Sequence, residues 1–162
     1  MPESDELIPA RFPPPDAGSP EPVILADDRN LLLAYYIART GPAASSAPTD
    51  GHEQAAVIKF EGYRQYRFGS PNDEALEGHE LSKRGLRPYQ PAEVLRSSWI
   101  AELERMNSVH HRHDPSDFAG LRHIVIPFHD STFECVTRRW SSELRDAPGD
   151  LARVLVERIN QK

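Results

Sequence analysis

Seven consecutive apolar residues, Leu31-Leu32-Leu33-Ala34-Tyr35-Tyr36-Ile37, constrain this chain more than any other stretch. Side chains alternate sides along a strand, so this run is apolar on both faces, as a central strand of a sheet is. A short buried helix is the alternative that periodicity alone leaves open. Val23 to Leu25 is a second β-compatible run, and Asp27-Asp28-Arg29-Asn30 between the two is turn chemistry, so the pair reads as a hairpin.

Other strand signals follow. Ala55 to Glu61 alternates Ile58 and Phe60 against Lys59 and Glu61, and Gly62 separates it from Tyr63 to Phe68 by a tight turn or bulge. Arg122 to Phe128 and Thr132 to Trp140 are again strand-like. Two stretches have helical spacing. Over residues 91–107, Pro91 and Glu93 suit a first turn, and Leu95, Trp99, Leu103 and Met106 form one stripe. At the C-terminal end, Asp150 caps a helix with Leu151, Val154, Leu155 and Ile159 on its buried side. Strands, one helix, strands and one helix are not strict β-α-β alternation. The expected class is therefore α+β: a mainly antiparallel sheet, one long helix over about 91–107, and a C-terminal helix packed on it.

Composition sets the domain limits. Nine of the 15 prolines fall in the first 48 residues. Residues 1–20 are rich in Pro, Asp, Glu, Gly and Ser, which predicts a disordered tail, with a short docked piece around Leu7-Ile8 as the alternative. Residues 21–162 then form a single α+β domain, with a flexible Gly/Pro/Ser-rich loop over 40–51. The formal net charge is -6 and the basic residues are interleaved with acids, which argues against a nucleic-acid or anionic-membrane footprint. No signal-peptide core or membrane-length apolar run is present, and the single cysteine, Cys135, excludes an internal disulfide. The expected location is the cytoplasm.

The densest polar segment is His129-Asp130-Ser131-Thr132-Phe133-Glu134-Cys135. A hairpin turning at Asp130-Ser131 sets Phe128 opposite Phe133, Ile126 opposite Cys135 and Ile124 opposite Thr137, all on one apolar face. The other face carries His123, Val125, Pro127 and His129 against Thr132, Glu134, Val136 and Arg138. This places Cys135 in the core as a small hydrophobe. It also separates Cys135 from His129, whereas a Cys-His enzyme needs the two within hydrogen-bond reach. His129 and Glu134 become diagonal neighbours, and His123 faces Arg138. The plainer reading is that His129, Asp130 and Ser131 only shape the turn.

Three further histidines, His110, His111 and His113, follow the long helix. If a helical turn persists, His110 and His113 share a face and could bind a metal with a carboxylate such as Asp114 or Glu134, His129 being a further candidate, but neither a His-Glu-x-x-His signature nor a Cys pair supports zinc. Histidines there also complement the helix dipole. His79 lies in an irregular stretch, residues 70–88, of the kind that carries function. No phosphate loop, nucleophile elbow or dinucleotide fingerprint is present, so no cofactor is implied.

Phe68-Gly69-Ser70-Pro71-Asn72-Asp73-Glu74, Gly78-His79-Glu80-Leu81, Asn107-Ser108-Val109-His110 and Phe128 through Cys135 together resemble an uncharacterised family of bacterial proteins. The resemblance covers roughly residues 55 to 140 and implies no activity, ligand or fold. Two functions remain in view. One is a small non-catalytic binding module for a protein or small molecule, with His79, His110, His129, Asp130, Ser131 and Glu134 as candidate contacts. The other is a metal-dependent or His/Glu-based hydrolase-like enzyme using His79, His110, His129 and Glu134. A lesser third role is assembly through a sheet edge or an exposed Trp140.

Overall fold

A computed structural model describes residues 4–39, 53–146 and 148–161, and the loop read over 40–51 lies outside them. The strands are β1 (Glu6–Pro9), β2 (Val23–Ala26), β3 (Leu31–Tyr36), β4 (Gln54–Glu61), β5 (Gln65–Gly69), β6 (Ala92–Leu95), β7 (Arg122–Pro127), β8 (Thr132–Thr137) and β9 (Arg139–Asp146). The α-helices are α1 (Ser98–Asn107), α2 (Ser116–Ala119) and α3 (Leu151–Ile159), with two 3-10 turns at Asp73–Gly78 and Ser82–Arg84. The class is α+β and every strand pairing is antiparallel, in two sheets ordered β1-β6-β7-β8-β5 and β2-β3-β4-β9.

The sheets pack face to face. Leu31, Leu33 and Tyr35 of β3 and Ala56, Ile58 and Phe60 of β4 meet Ile124 and Ile126 of β7, Phe133 and Cys135 of β8, and Phe128. Aromatic pairs bridge the layers: Tyr35 on Phe128 at 5.1 Å between ring centroids, and Phe60 on Phe133 at 5.5 Å. Each such side chain contributes about 1.5–3 kcal/mol by leaving water. The run at 31–37 is therefore a central strand. Its other side chains, Leu32 and Ala34, join Ala55 and Val57 under Leu151, Val154 and Leu155 of α3. Asp150 caps that helix, accepting from the Ala152 backbone N–H at 3.0 Å.

The outer face of the five-stranded sheet is covered in two patches. Leu76, Leu81 and Leu86 from the 3-10 segment lie on Val94 and Val125. Trp99 of α1, Phe118 of α2 and Leu121 lie on Val136. His123 and Glu134 occupy this face, because they share parity with Val125 and Val136.

Two expectations need correction. Composition places residues 1–20 in a disordered tail, but Glu6–Pro9 pairs with β6 and Phe12 is buried. The docked piece around Leu7-Ile8 is what forms, because β6 supplies the backbone partners that Leu7 and Ile8 lack locally. The helix expected over 91–107 begins only at Ser98. Ala92–Leu95 is a strand held between β1 and β7, where ladder bonds outweigh weak helical propensity. Arg96, at φ 52°, turns the chain, and the Ser97 side chain caps α1 by accepting from the Ile100 backbone N–H at 3.2 Å. Of the expected stripe, Trp99 is buried and Met106 is exposed. The C-terminal helix packs on a sheet as expected, the four-stranded one.

Gly62, at φ 66°, carries the chain from β4 in one sheet to β5 in the other. The left-handed backbone favours glycine, and a Cβ there would stand a tight 3.1 Å from Arg138 Cβ.

Candidate functional site

The β7–β8 hairpin differs from the expected register by two residues. Ile126 faces Phe133, Ile124 faces Cys135, and Arg122 faces Thr137. The loop lengthens to include Phe128, whose N–H donates to the Ser131 carbonyl at 2.7 Å. A slip of two preserves which face each side chain takes, so Cys135 is buried, and burial pushes its thiol pKa well up. The slip does change neighbours. Glu134 now faces Val125 and has His123 as its diagonal, so the hairpin histidine meeting Glu134 is His123, not His129. His123 faces Val136 rather than Arg138.

Around Glu134 a buried chain of hydrogen bonds forms. One carboxylate oxygen lies 3.0 Å from His123 Nε2, the other 3.1 Å from His79 Nε2. All three side chains are at most 7% exposed. The Leu81 backbone N–H donates to His79 Nδ1 at 3.0 Å, so the His79 proton sits on Nε2 and points at Glu134. His123 Nδ1 lies 2.8 Å from Ser97 Oγ. The ionised Glu134 carboxylate can only accept, so His123 carries its proton on Nε2, and Nδ1 of the neutral ring accepts from the Ser97 hydroxyl. Burial alone would raise the Glu134 pKa. The bonds from His123 and His79 outweigh it and hold the carboxyl at about 2. Trp99 packs edge-on against the His123 ring at 5.0 Å, and the Arg67 guanidinium lies over Trp99 at 3.9 Å. Among the described residues no buried side-chain polar atom lacks a partner.

A second cluster sits at the open end of the hairpin. His129 Nδ1 lies 2.8 Å from Asp73 Oδ2, and the Tyr89 hydroxyl donates to the same carboxylate oxygen. The His129 side chain is 42% exposed, which leaves Nε2 facing outward, 3.9 Å from Asp130. The bond to Asp73 raises the His129 pKa. The Tyr89 hydroxyl, which donates to that carboxylate, is pushed up to about 12. Asp73 is lowered, first by Tyr89 and then by His129 against the opposing effect of burial. Tyr89 is a non-glycine residue at φ 62°, held there by its N–H bond to the Pro127 carbonyl at 3.1 Å. Such backbone costs on the order of 1–3 kcal/mol and concentrates at functional sites. Asp73 also lines a cleft of about 500 Å³ between the two 3-10 turns, with Glu74, Glu77, Lys83 and Arg87 on its walls.

The sequence candidates are thus divided among three places. His79 and Glu134 meet. His129 binds Asp73, with Asp130 at the exposed tip beside it and Ser131 buried behind. His110 stacks on His111 in the exposed turn after α1, while His113 bonds Asn107 and Glu104. The four residues of the hydrolase reading do not form one centre, because the slipped register delivers His123 where His129 was expected. Among the described residues, no three His, Cys, Asp or Glu side chains are grouped to hold a metal ion. Trp140 is half-buried against Phe12 at 5.1 Å. Sequence reasoning missed Asp73, Tyr89, Ser97 and the role of His123. Only His123 was partly within reach, since parity set it on the same face as Glu134, though not as its neighbour. Asp73 is 56 residues from His129, and no local pattern links them. Among the described residues no helix is long and apolar enough to cross a membrane. No family model, no curated protein and no solved structure matches this chain.

Proposed function

We propose that the protein is a binding module for a small molecule bearing charges of both signs, held in the cleft between Asp73–Gly78 and Ser82–Arg84. The observation that carries this reading is the cleft's composition. Glu74 and Glu77 stand against Lys83 and Arg87 over an apolar base of Leu76 and Leu86, with the His129–Asp73 pair at the edge. Pockets that fix a ligand's orientation combine apolar walls with a few placed polar groups. A zwitterion meets opposite charges here without a net desolvation of one sign. The module works in the cytoplasm, where its one thiol stays reduced.

The test is NMR titration of the labelled protein with free amino acids and glycine betaine as probes. Saturable shifts at Lys83, Arg87 and His129, abolished by Lys83→Glu with Arg87→Glu, are the expected result. Shifts confined to another surface, or none at millimolar probe, would overturn the reading.

A further inference from the structure

We propose that Ser97 is a nucleophile for acyl transfer, with His123 as its general base and Glu134 as the carboxylate that orients the imidazole. This is a separate site from the cleft and does not depend on it.

β6 ends at Leu95, Arg96 adopts φ 52°, and α1 starts at Ser98, so Ser97 stands at a sharp strand-to-helix turn. Such a turn presents a side chain away from both elements. A helix cap needs only to accept a backbone N–H, and Ser97 does so from Ile100. Its second bond is not required by capping. The hydroxyl donates to a buried imidazole, whose far nitrogen is held by a buried carboxylate 3.0 Å away. Nucleophile, base and orienting acid in this order form the arrangement that activates a hydroxyl at neutral pH. Apolar side chains of similar size often stabilise a fold as well as a buried ion pair does, so stability alone is weak grounds for this cluster.

Ser97 also has somewhere to act. It lines a groove of about 370 Å³ whose apolar walls are Val94, Ile100, Phe118 and Leu121. At its rim Arg122 is locked to Glu93 by two bonds of 2.7 Å. The volume and walls suit a short aliphatic acyl ester.

The chemistry closes with water as the only co-reactant. Ser97 Oγ attacks the ester carbonyl carbon as its proton passes to His123 Nδ1. The tetrahedral intermediate expels the alcohol oxygen, which takes that proton from Nδ1, leaving acyl-Ser97. Water then gives a proton to Nδ1 and attacks the acyl carbon. Ser97 Oγ departs with the proton from Nδ1, and the carboxylic acid is released. Glu134 stays ionised throughout and stabilises the transient imidazolium, while His79 fixes its second oxygen.

The test treats the full chain with a fluorophosphonate probe, maps the adduct by mass spectrometry, and follows p-nitrophenyl acetate hydrolysis. A single adduct on Ser97, absent in Ser97→Gly, is expected; glycine is a tolerated cap and keeps the fold testable. His123→Gln should slow hydrolysis about 10²–10⁴-fold, the size of a lost general base. Should His123→Gln unfold, the pH profile of wild-type labelling replaces it. A rate rising through a single ionisation supports His123 as base; a rate without pH dependence contradicts it. No adduct on folded protein, an adduct on Ser98 instead, or hydrolysis unchanged in Ser97→Gly would overturn the assignment.

Discussion

The five-stranded sheet carries two imidazole–carboxylate pairs that differ in their access to water. His129–Asp73 lies at the hairpin's open end with its imidazole 42% exposed. His123–Glu134–His79 lies under the 3-10 segment and α1, with each side chain at most 7% exposed. Both clusters lower the pKa of their carboxylate, but the energetic consequence differs. In water the partners of His129 can be replaced by solvent. Beneath the covering layer, Glu134 has no other source of compensation, so its two bonds are obligatory.

The largest effect that would break this contrast comes from truncation. Glu134→Ala leaves two buried imidazole N–H groups without an acceptor and should cost about 3–5 kcal/mol in urea unfolding. Asp73→Ala, whose partner imidazole is open to water, should cost far less. Equal costs would mean that burial is not what separates the pairs.

Acid unfolding gives the next largest effect. Glu134 is held at about 2 against an ordinary value of 4.5. The unfolded chain therefore binds the proton first as pH falls. The stabilisation, on the order of 3 kcal/mol, is complete above the ordinary carboxylate range. It should be lost as pH drops from 4.5 towards about 2. Glu134→Gln should flatten the stability–pH slope in that window, as read by urea midpoints at successive pH values.

The exposed pair should titrate visibly and with the opposite sign. His129 has its pKa raised, so its contribution is full below the ordinary histidine value and is lost as pH rises through the raised one. Asp73→Asn should move the His129 imidazole resonances to a lower midpoint in NMR titration. It should also return Tyr89 from about 12 towards 10 in ultraviolet titration. The smallest effect is expected of Tyr89→Phe, which keeps the ring and removes one donor to a partly wet carboxylate. It should cost about 0.5–1 kcal/mol in urea unfolding.

Legibility varied with the range of the interaction. The opposite faces of Cys135 and Glu134 were readable because strand parity survives a slip of two residues. The identity of the histidine beside Glu134 was not, because that same slip exchanges His129 for His123. Ala92–Leu95 carried helical spacing into α1, yet two neighbouring strands claimed it. Leu7 and Ile8 sat in tail-like composition, and β6 alone made them a strand.

By itself the sequence determined the α+β class, the two-faced apolar run that becomes Leu31–Tyr36, the α3 cap at Asp150 and the burial of Cys135. These follow from local periodicity, side-chain alternation and capping, which act within a few residues. Only the tertiary structure decided that there are two stacked sheets, that β1 closes one of them, and that Asp73 meets His129 while His79 and Ser97 flank Glu134 and His123. Those contacts join residues 26 to 56 positions apart. Chain folding creates such pairings, and no short-range preference encodes them.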